Sequence, residues 1–142
     1  MKTKRLSFLL IAVLGVWLGA SPAWAQGDLA KSLVGKWEGE LQLAGGATGD
    51  PNRTLIIESV TQKDGTWVAT GRFGITGQGL GKVEIELTDS GGRPFIRFVT
   101  GAASTVRLTL TGAKELTGAT TFTGASNTGR GNDRALRLEK KD

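Results

Sequence analysis

Apolar side chains recur at every second position in most of eight segments of this chain, and one segment, 93–100, has apolar residues on both faces. Trp37 and Leu41 alternate with charged or amide residues, and Val83, Ile85 and Leu87 alternate with lysine, glutamate and threonine. Because successive side chains of a β-strand point to opposite faces, this period predicts strands with one buried and one solvent-facing side. The predicted strands are bounded by glycine, asparagine or aspartate, and they cover residues 36–43, 53–61, 66–75, 82–88, 93–100, 105–111, 115–123 and 134–140.

Short connections join most consecutive strands, and several have the composition of tight turns. Lys63-Asp64-Gly65 is a hairpin signal, and Asp89-Ser90-Gly91-Gly92 is a second turn. Strands with one wet face and short connections favour an antiparallel meander, and eight of them can close into a small barrel without exposed edges. The sequence therefore predicts an all-β, eight-stranded antiparallel up-and-down barrel, with a β-sandwich as the alternative.

Residues 1–25 have the pattern of a cleavable signal peptide. Lys2, Lys4 and Arg5 precede an apolar run of about 15 residues, shorter than the ~20 that span a bilayer. Ala23-Trp24-Ala25 then supplies the small-x-small cleavage pattern. We expect cleavage after Ala25, a single domain over residues 26–142, and a periplasmic or secreted protein without a stable membrane anchor. The alternative is an uncleaved N-terminal anchor. Residues 28–34 could add one or two helical turns, with Asp28 as N-cap.

Net charge gives no argument for a nucleic-acid partner. The chain has 18 basic and 13 acidic residues, a net charge of +5. Three basic residues lie in the predicted signal, so residues 26–142 have 15 basic and 13 acidic residues, a net charge of +2. Nucleic-acid-binding domains usually show a basic face with interleaved aromatic residues, whereas this small excess of basic residues favours a solvated surface of mixed charge.

The residue types that are missing exclude most catalytic chemistry. The sequence contains no histidine and no cysteine, so triads with a histidine base, thiol nucleophiles, disulfides and ordinary zinc sites are excluded. Glu38 and Glu40, like Glu84 and Glu86, lie on the polar faces of their strands, where a solvated carboxylate has no reason to act as an acid at neutral pH. We therefore expect no catalytic residue, no metal, no cofactor and no enzymatic activity.

The first predicted strand opens with Gly35-Lys36-Trp37-Glu38-Gly39, directly after the possible helical turn. This Gly-x-Trp segment resembles the opening of the calycin group, which comprises lipocalins, fatty-acid-binding proteins and avidins. The whole pattern is similar to lipocalin-like domains of bacterial exported proteins. The resemblance implies that Trp37 plugs the closed end of the barrel. It also implies that an arginine near the last strand, Arg137 or Arg134, packs across that tryptophan.

An aromatic set marks the predicted interior as a candidate ligand site. Trp67 and Phe73 share the inward face of the third strand, and Phe122 is predicted to join them. Such residues either line an apolar ligand cavity or simply fill the barrel. Arg97 lies within a strongly apolar strand and, by resemblance to fatty-acid-binding proteins, would anchor a ligand carboxylate; a register break or edge exposure explains it equally well.

Two functions follow from these expectations. In the first, the protein is an exported, non-enzymatic barrel that binds a small apolar or amphiphilic ligand. In the second, the barrel is filled and acts as a structural or interaction module that contacts another cell-envelope protein or polymer. An interior void lined by Trp67 and Phe73 favours the first function, whereas a solid interior with an exposed apolar patch favours the second.

Overall fold

The computed structural model of the protein describes residues 23–43, 49–101, 103–122 and 133–142. One helix and eight strands occupy these residues: α1 (Ala23–Ser32), β1 (Gly35–Leu41), β2 (Asn52–Lys63), β3 (Thr66–Ile75), β4 (Gly81–Ser90), β5 (Arg93–Val99), β6 (Thr105–Gly112), β7 (Glu115–Thr121) and β8 (Asp133–Lys141). All eight predicted strands are present, and their bounds differ from the predicted ones by at most two residues. The predicted signal peptide lies outside the described residues, except for the three residues that open α1.

The strands form a closed antiparallel barrel in sequence order, and β1 completes it by pairing with β8. This confirms the predicted up-and-down barrel and excludes the β-sandwich. The turns after β2, β4 and β6 lie at the same end as α1, which we call the helix end. The connections after β1, β3, β5 and β7 leave from the opposite end, which we call the loop end.

Two-residue turns fix the register at the helix end. Asp64 and Gly65 both have positive φ angles, of 52° and 79°, between β2 and β3. Positive φ at both central residues matches the right-handed twist of the flanking strands, which explains why Asp-Gly is favoured there. The hairpin predicted at Lys63-Asp64-Gly65 is thus confirmed, and Gly91-Gly92 makes the corresponding turn between β4 and β5.

The inward side chains of all eight strands fill the middle of the barrel. Each side chain that loses contact with water in this way contributes about 1.5–3 kcal/mol to stability. The largest fully buried ones, each less than 2 % exposed, are Trp37, Phe98, Leu33, Leu55, Ile57, Ile85, Ile96, Leu108, Leu116, Leu136, Leu138 and Val106. The interior of the barrel is therefore filled by side chains between its two ends.

Glycine allows the strands to approach closely where they bend. A Cβ atom at Gly39 would lie well under 3.0 Å from the backbone carbonyl oxygen of Arg137, and one at Gly118 would overlap that of Arg107 in the same way. Both glycines are in the inward phase, next to buried residues of β1 and β7. Strongly coiled strands of a small barrel need glycine at such points. The backbone of the neighbouring strand, and not the packed core, leaves no room for a side chain there.

A β-bulge in β2 corrects one predicted face. The pairing of β2 with β3 shifts between Ile57 and Ser59. The extra residue returns Val60 to the inward phase, where it packs against the core. Strict alternation over the predicted strand 53–61 would instead put Val60 on the outer face with Ile56.

Helix α1 lies against the helix end and is longer than expected. It begins at Ala23, so Asp28 lies within the helix and not at its N-cap. Ala30 and Leu33 are buried, and the backbone N–H groups of Leu33 and Val34 close the last turn by donating to the carbonyl oxygens of Ala30 and Lys31. No helix of the described residues is long and apolar enough to cross a membrane.

Candidate functional site

Two cavities of similar size lie at opposite ends of the barrel. The helix-end cavity has a volume of about 290 Å³ and lies between α1 and the turns that follow β2 and β4. The loop-end cavity has a volume of about 300 Å³ and lies inside the mouth of the barrel. Between them the packed core leaves no room for one long cavity through the described part of the interior.

The predicted aromatic set is divided between these cavities. Trp67 lines the helix-end cavity, whereas Phe73 and Phe122 line the loop-end cavity. Trp67 and Phe73 share a face of β3, but six residues of extended strand place them about 20 Å apart. The structure therefore brings Phe73 and Phe122 together and separates Trp67 from them.

Arg97 lies on the outer surface of the barrel. Its neighbours Ile96 and Phe98 are buried, so the alternation of β5 turns Arg97 outward, with its side chain 44 % exposed. There its guanidinium forms an ion pair with Glu86 of β4 at 3.3 Å. This placement corrects the expectation of an interior carboxylate anchor at Arg97.

Trp37 lies in the packed core near the helix end of the barrel. It is fully buried next to α1, and its indole Nε1–H donates a hydrogen bond of 2.8 Å to the carbonyl oxygen of Leu33. This bond satisfies the one polar group of the side chain, so the indole can be buried without an energetic penalty. Strand β1 and the end of α1 are tied together at this point.

The basic residue that covers Trp37 is Lys140, not Arg137. Arg137 is 64 % exposed on the outer face, where it forms ion pairs with Glu115 at 2.7 Å and Glu139 at 3.6 Å. Its hydrogen bond to Glu115 lowers the pKa of that carboxyl group and raises the pKa of the guanidinium. Lys140 follows the inward phase of Leu136 and Leu138, and its Nζ lies 5.7 Å from the Trp37 ring centroid. The expected role of Arg137 is corrected accordingly.

Lys140 also holds the C-terminus of α1, and this role can be tested. Its Nζ donates a hydrogen bond of 2.6 Å to the carbonyl oxygen of Ser32, where a cation complements the helix dipole.

We expect Lys140→Ala to lower the free energy of unfolding by about 1–2 kcal/mol, because the charged hydrogen bond and the cation–π contact are both lost. Urea denaturation measures this change. Lys141→Ala is the control, since its exposed side chain should matter by less than about 0.5 kcal/mol. Equal losses in the two variants would contradict the role of Lys140.

The wall of the loop-end cavity is mostly apolar. Leu41, Phe73 and Ile75 come from the ends of β1 and β3, and Phe122 directly follows β7. Phe73 also packs edge-to-face against the buried Phe98, with ring centroids 5.2 Å apart and an interplanar angle of 64°. The core therefore fixes the orientation of the cavity's main aromatic side chain.

Arg53 supplies the one charge among the described residues that line this cavity. It starts the inward phase that continues through Leu55 and Ile57, but at the mouth its guanidinium donates to the backbone carbonyl oxygens of Asp50 and Asn52. Partial burial lowers the pKa of Arg53, and the nearby Asp50 carboxylate acts in the opposite direction. The cation is thus held at the rim of the cavity.

Two buried hydroxyl groups add polar character to the apolar wall. Ser104 and Thr120 line the loop-end cavity, and each is 3 % exposed. Ser104 is positioned by the tight connection between β5 and β6, in which Ala103 has a φ of 58° and the Thr100 N–H donates to the Ser104 carbonyl oxygen at 2.8 Å. Such backbone strain in a non-glycine residue is typical of functional sites.

Sequence reasoning placed Thr120 on the inward face but did not single out Arg53, Ser104, Thr120 or Lys140 as site residues. A period-two signal existed for Arg53, which lies two residues before Leu55, and for Lys140, which lies two residues after Leu138. Thr120 had the same signal through Leu116 but resembled ordinary strand-forming threonine. Ser104 lies outside the strands, where alternation gives no information.

The loop-end cavity has the chemistry of a binding site. It combines an apolar wall, two hydroxyl groups and a cation at the rim, a combination typical of sites that orient a small molecule. The paired carboxylates Glu84 and Glu86 lie exposed on the outer face of β4. Nowhere in the described ranges do three potential metal-ligating side chains come together.

Comparisons with known proteins add no relative. No family model, no curated protein and no solved structure matches this chain.

Proposed function

We propose that this protein is an exported, non-enzymatic β-barrel protein that binds a small apolar or amphiphilic ligand in the loop-end cavity. The observation that carries the proposal is the cavity of about 300 Å³, with Phe73 and Phe122 in its wall and the hydroxyl of Thr120 sealed from water beside them. Export is inferred from the basic, apolar and Ala-x-Ala segments of residues 1–25.

The size of the cavity limits the ligand. Ligand cavities usually have volumes of about 300–1,000 Å³, so this one lies at the small end of the range. The packed core stops a ligand from extending toward the helix end, since residues such as Ile96 and Leu108 are fully buried. The ligand is therefore a short molecule held at the mouth and not a long chain threaded through the barrel.

We also propose a calycin-like relationship for the barrel. Eight antiparallel strands in meander order, a Gly-x-Trp opening and a fully buried Trp37 support it. Lys140 in place of an arginine over the indole is a departure from the lipocalin pattern.

The filled core also supports the alternative function, an interaction module that contacts another cell-envelope protein or polymer. Val99 is 50 % exposed on the outer face near the loop end, and Phe122 is 38 % exposed at the mouth of the barrel. A partner could cover these side chains without entering the barrel. The two functions differ in whether a small molecule occupies the mouth.

Native mass spectrometry of the protein purified from its own host tests the proposal. We expect a small-molecule adduct on the wild-type chain that Phe122→Ala loses, because this variant removes one wall of the loop-end cavity. Leu29→Ala is the matched control, since Leu29 is a similarly exposed wall residue of the helix-end cavity. The adduct should survive Leu29→Ala.

Two results would count against ligand binding at the mouth. A wild-type chain that carries no adduct would favour the interaction module. An adduct lost in Leu29→Ala and kept in Phe122→Ala would place the ligand at the helix end instead.

A further inference from the structure

Thr120 has a buried hydroxyl group whose hydrogen bonding is unsatisfied. Its Oγ1 atom is shielded from water and has no hydrogen-bond partner in the part of the chain that the structure describes. The comparison with Thr54 is informative, because that equally buried hydroxyl is paired with the Thr76 hydroxyl at 2.8 Å. Leaving a polar group unsatisfied in this way costs about 1–3 kcal/mol, so we infer that the Thr120 hydroxyl lowers the stability of the barrel unless another group pairs with it.

The polar groups on the inner part of the mostly apolar cavity wall are uncharged. Ser104 and Thr120 occupy the same inward phase at the loop end of β6 and β7, where diagonal neighbours lie about 7–8 Å apart. The Arg53 guanidinium is held at the rim by the carbonyl oxygens of Asp50 and Asn52. An ionised ligand group placed beside Thr120 would therefore lose its hydration without meeting a compensating charge.

We propose that the ligand enters the loop-end cavity with a neutral oxygen-bearing group first, and that this group hydrogen-bonds to the Thr120 hydroxyl. The chemical class is a short amphiphile with an alcohol, ketone or ester function at its inner end and hydrocarbon against Phe73 and Phe122. Thr120 lines the cavity, and this contact requires its buried hydroxyl to turn toward the ligand by rotation between staggered χ1 conformers. This inference rests on the proposed function.

The substitution Thr120→Val separates ligand recognition from structural support. It keeps the shape of the side chain and removes the unsatisfied hydroxyl. The variant should therefore be more stable than the wild type, with a midpoint of thermal unfolding about 2–6 °C higher. A hydroxyl that merely supported the fold would give the opposite change.

The matched measurement is the affinity for three probes: 1-octanol, octanoate and toluene. We expect the wild-type protein to bind 1-octanol more tightly than octanoate. Thr120→Val should weaken 1-octanol binding about three- to tenfold and leave toluene binding unchanged, because toluene forms no hydrogen bond. Isothermal titration calorimetry measures each dissociation constant. Thr109→Val, on the outer face of β6, is the control and should alter neither affinity.

The outcomes distinguish this inference from the function on which it rests. If toluene and 1-octanol bind, but Thr120→Val does not change the affinity for 1-octanol, the mouth is a ligand site and the role of Thr120 is wrong. Tighter binding of octanoate than of 1-octanol would overturn the neutral class. If none of the probes binds to either protein, the proposed function fails as well.

Discussion

Gly39→Ala is expected to lower the free energy of unfolding by about 3 kcal/mol or more. The added Cβ would overlap the Arg137 carbonyl oxygen and the Leu138 Cα atom, both of which belong to the backbone of β8. A flexible side chain could move aside, but a backbone in the closing strand pair cannot do so without breaking hydrogen bonds of the ladder. Urea denaturation followed by circular dichroism measures the loss.

The control for this prediction is Gly79→Ala, in the connection between β3 and β4. A Cβ at Gly79 meets no atom within 4 Å, so the change should matter by less than about 0.5 kcal/mol. Gly118→Ala should resemble Gly39→Ala, because its Cβ would overlap the backbone of β6. A stable Gly39→Ala variant would mean that β1 and β8 do not approach as closely as the structure shows.

Trp37→Ala is expected to lower the free energy of unfolding by about 3–5 kcal/mol. The substitution empties a fully buried site at the helix end and leaves the Leu33 carbonyl oxygen without its indole donor. Because Trp37 joins β1, α1 and Lys140, the helix should also lose its contact with the barrel. Thermal unfolding and hydrogen exchange of the α1 amides measure the two effects.

Trp37→Phe and Trp67→Ala provide the comparisons. Trp37→Phe keeps an aromatic ring and removes the hydrogen bond, so most of the stability should remain. Trp67 is half-buried, and its replacement by alanine should cost less than that of Trp37. A loss below about 1 kcal/mol for Trp37→Ala would show that this side chain is not a plug.

The strands were predictable because alternation follows directly from backbone geometry. Each strand has one face toward the core, and the period of two appears wherever no residue is inserted. Val60 shows the limit of the method, because a single bulge residue reverses the phase of everything that follows it in β2. The interior roles predicted for Arg97 and Arg137 are wrong. Each arginine lies between two buried residues of its strand, so alternation turns its side chain outward.

The candidate site was less predictable than the fold. Periodicity tells which face of a strand a residue occupies, but it does not tell how far along the barrel axis the residue lies. Trp67 and Phe73 share a face and line different cavities for this reason. Whether a hydroxyl such as that of Thr120 finds a partner depends on three strands and their connections, which only the folded structure defines.

Seven of the eight strand pairs join neighbours in the chain, and only β1 with β8 joins its two extremes. The Lys140–Ser32 hydrogen bond beside this pair links residues 108 positions apart. Most of the entropic cost of loop closure is therefore paid when β1 pairs with β8. The other seven strand pairs can form through local hairpins. Circularisation of the chain near the β1–β8 pair would remove part of that entropic cost and would stabilise the barrel.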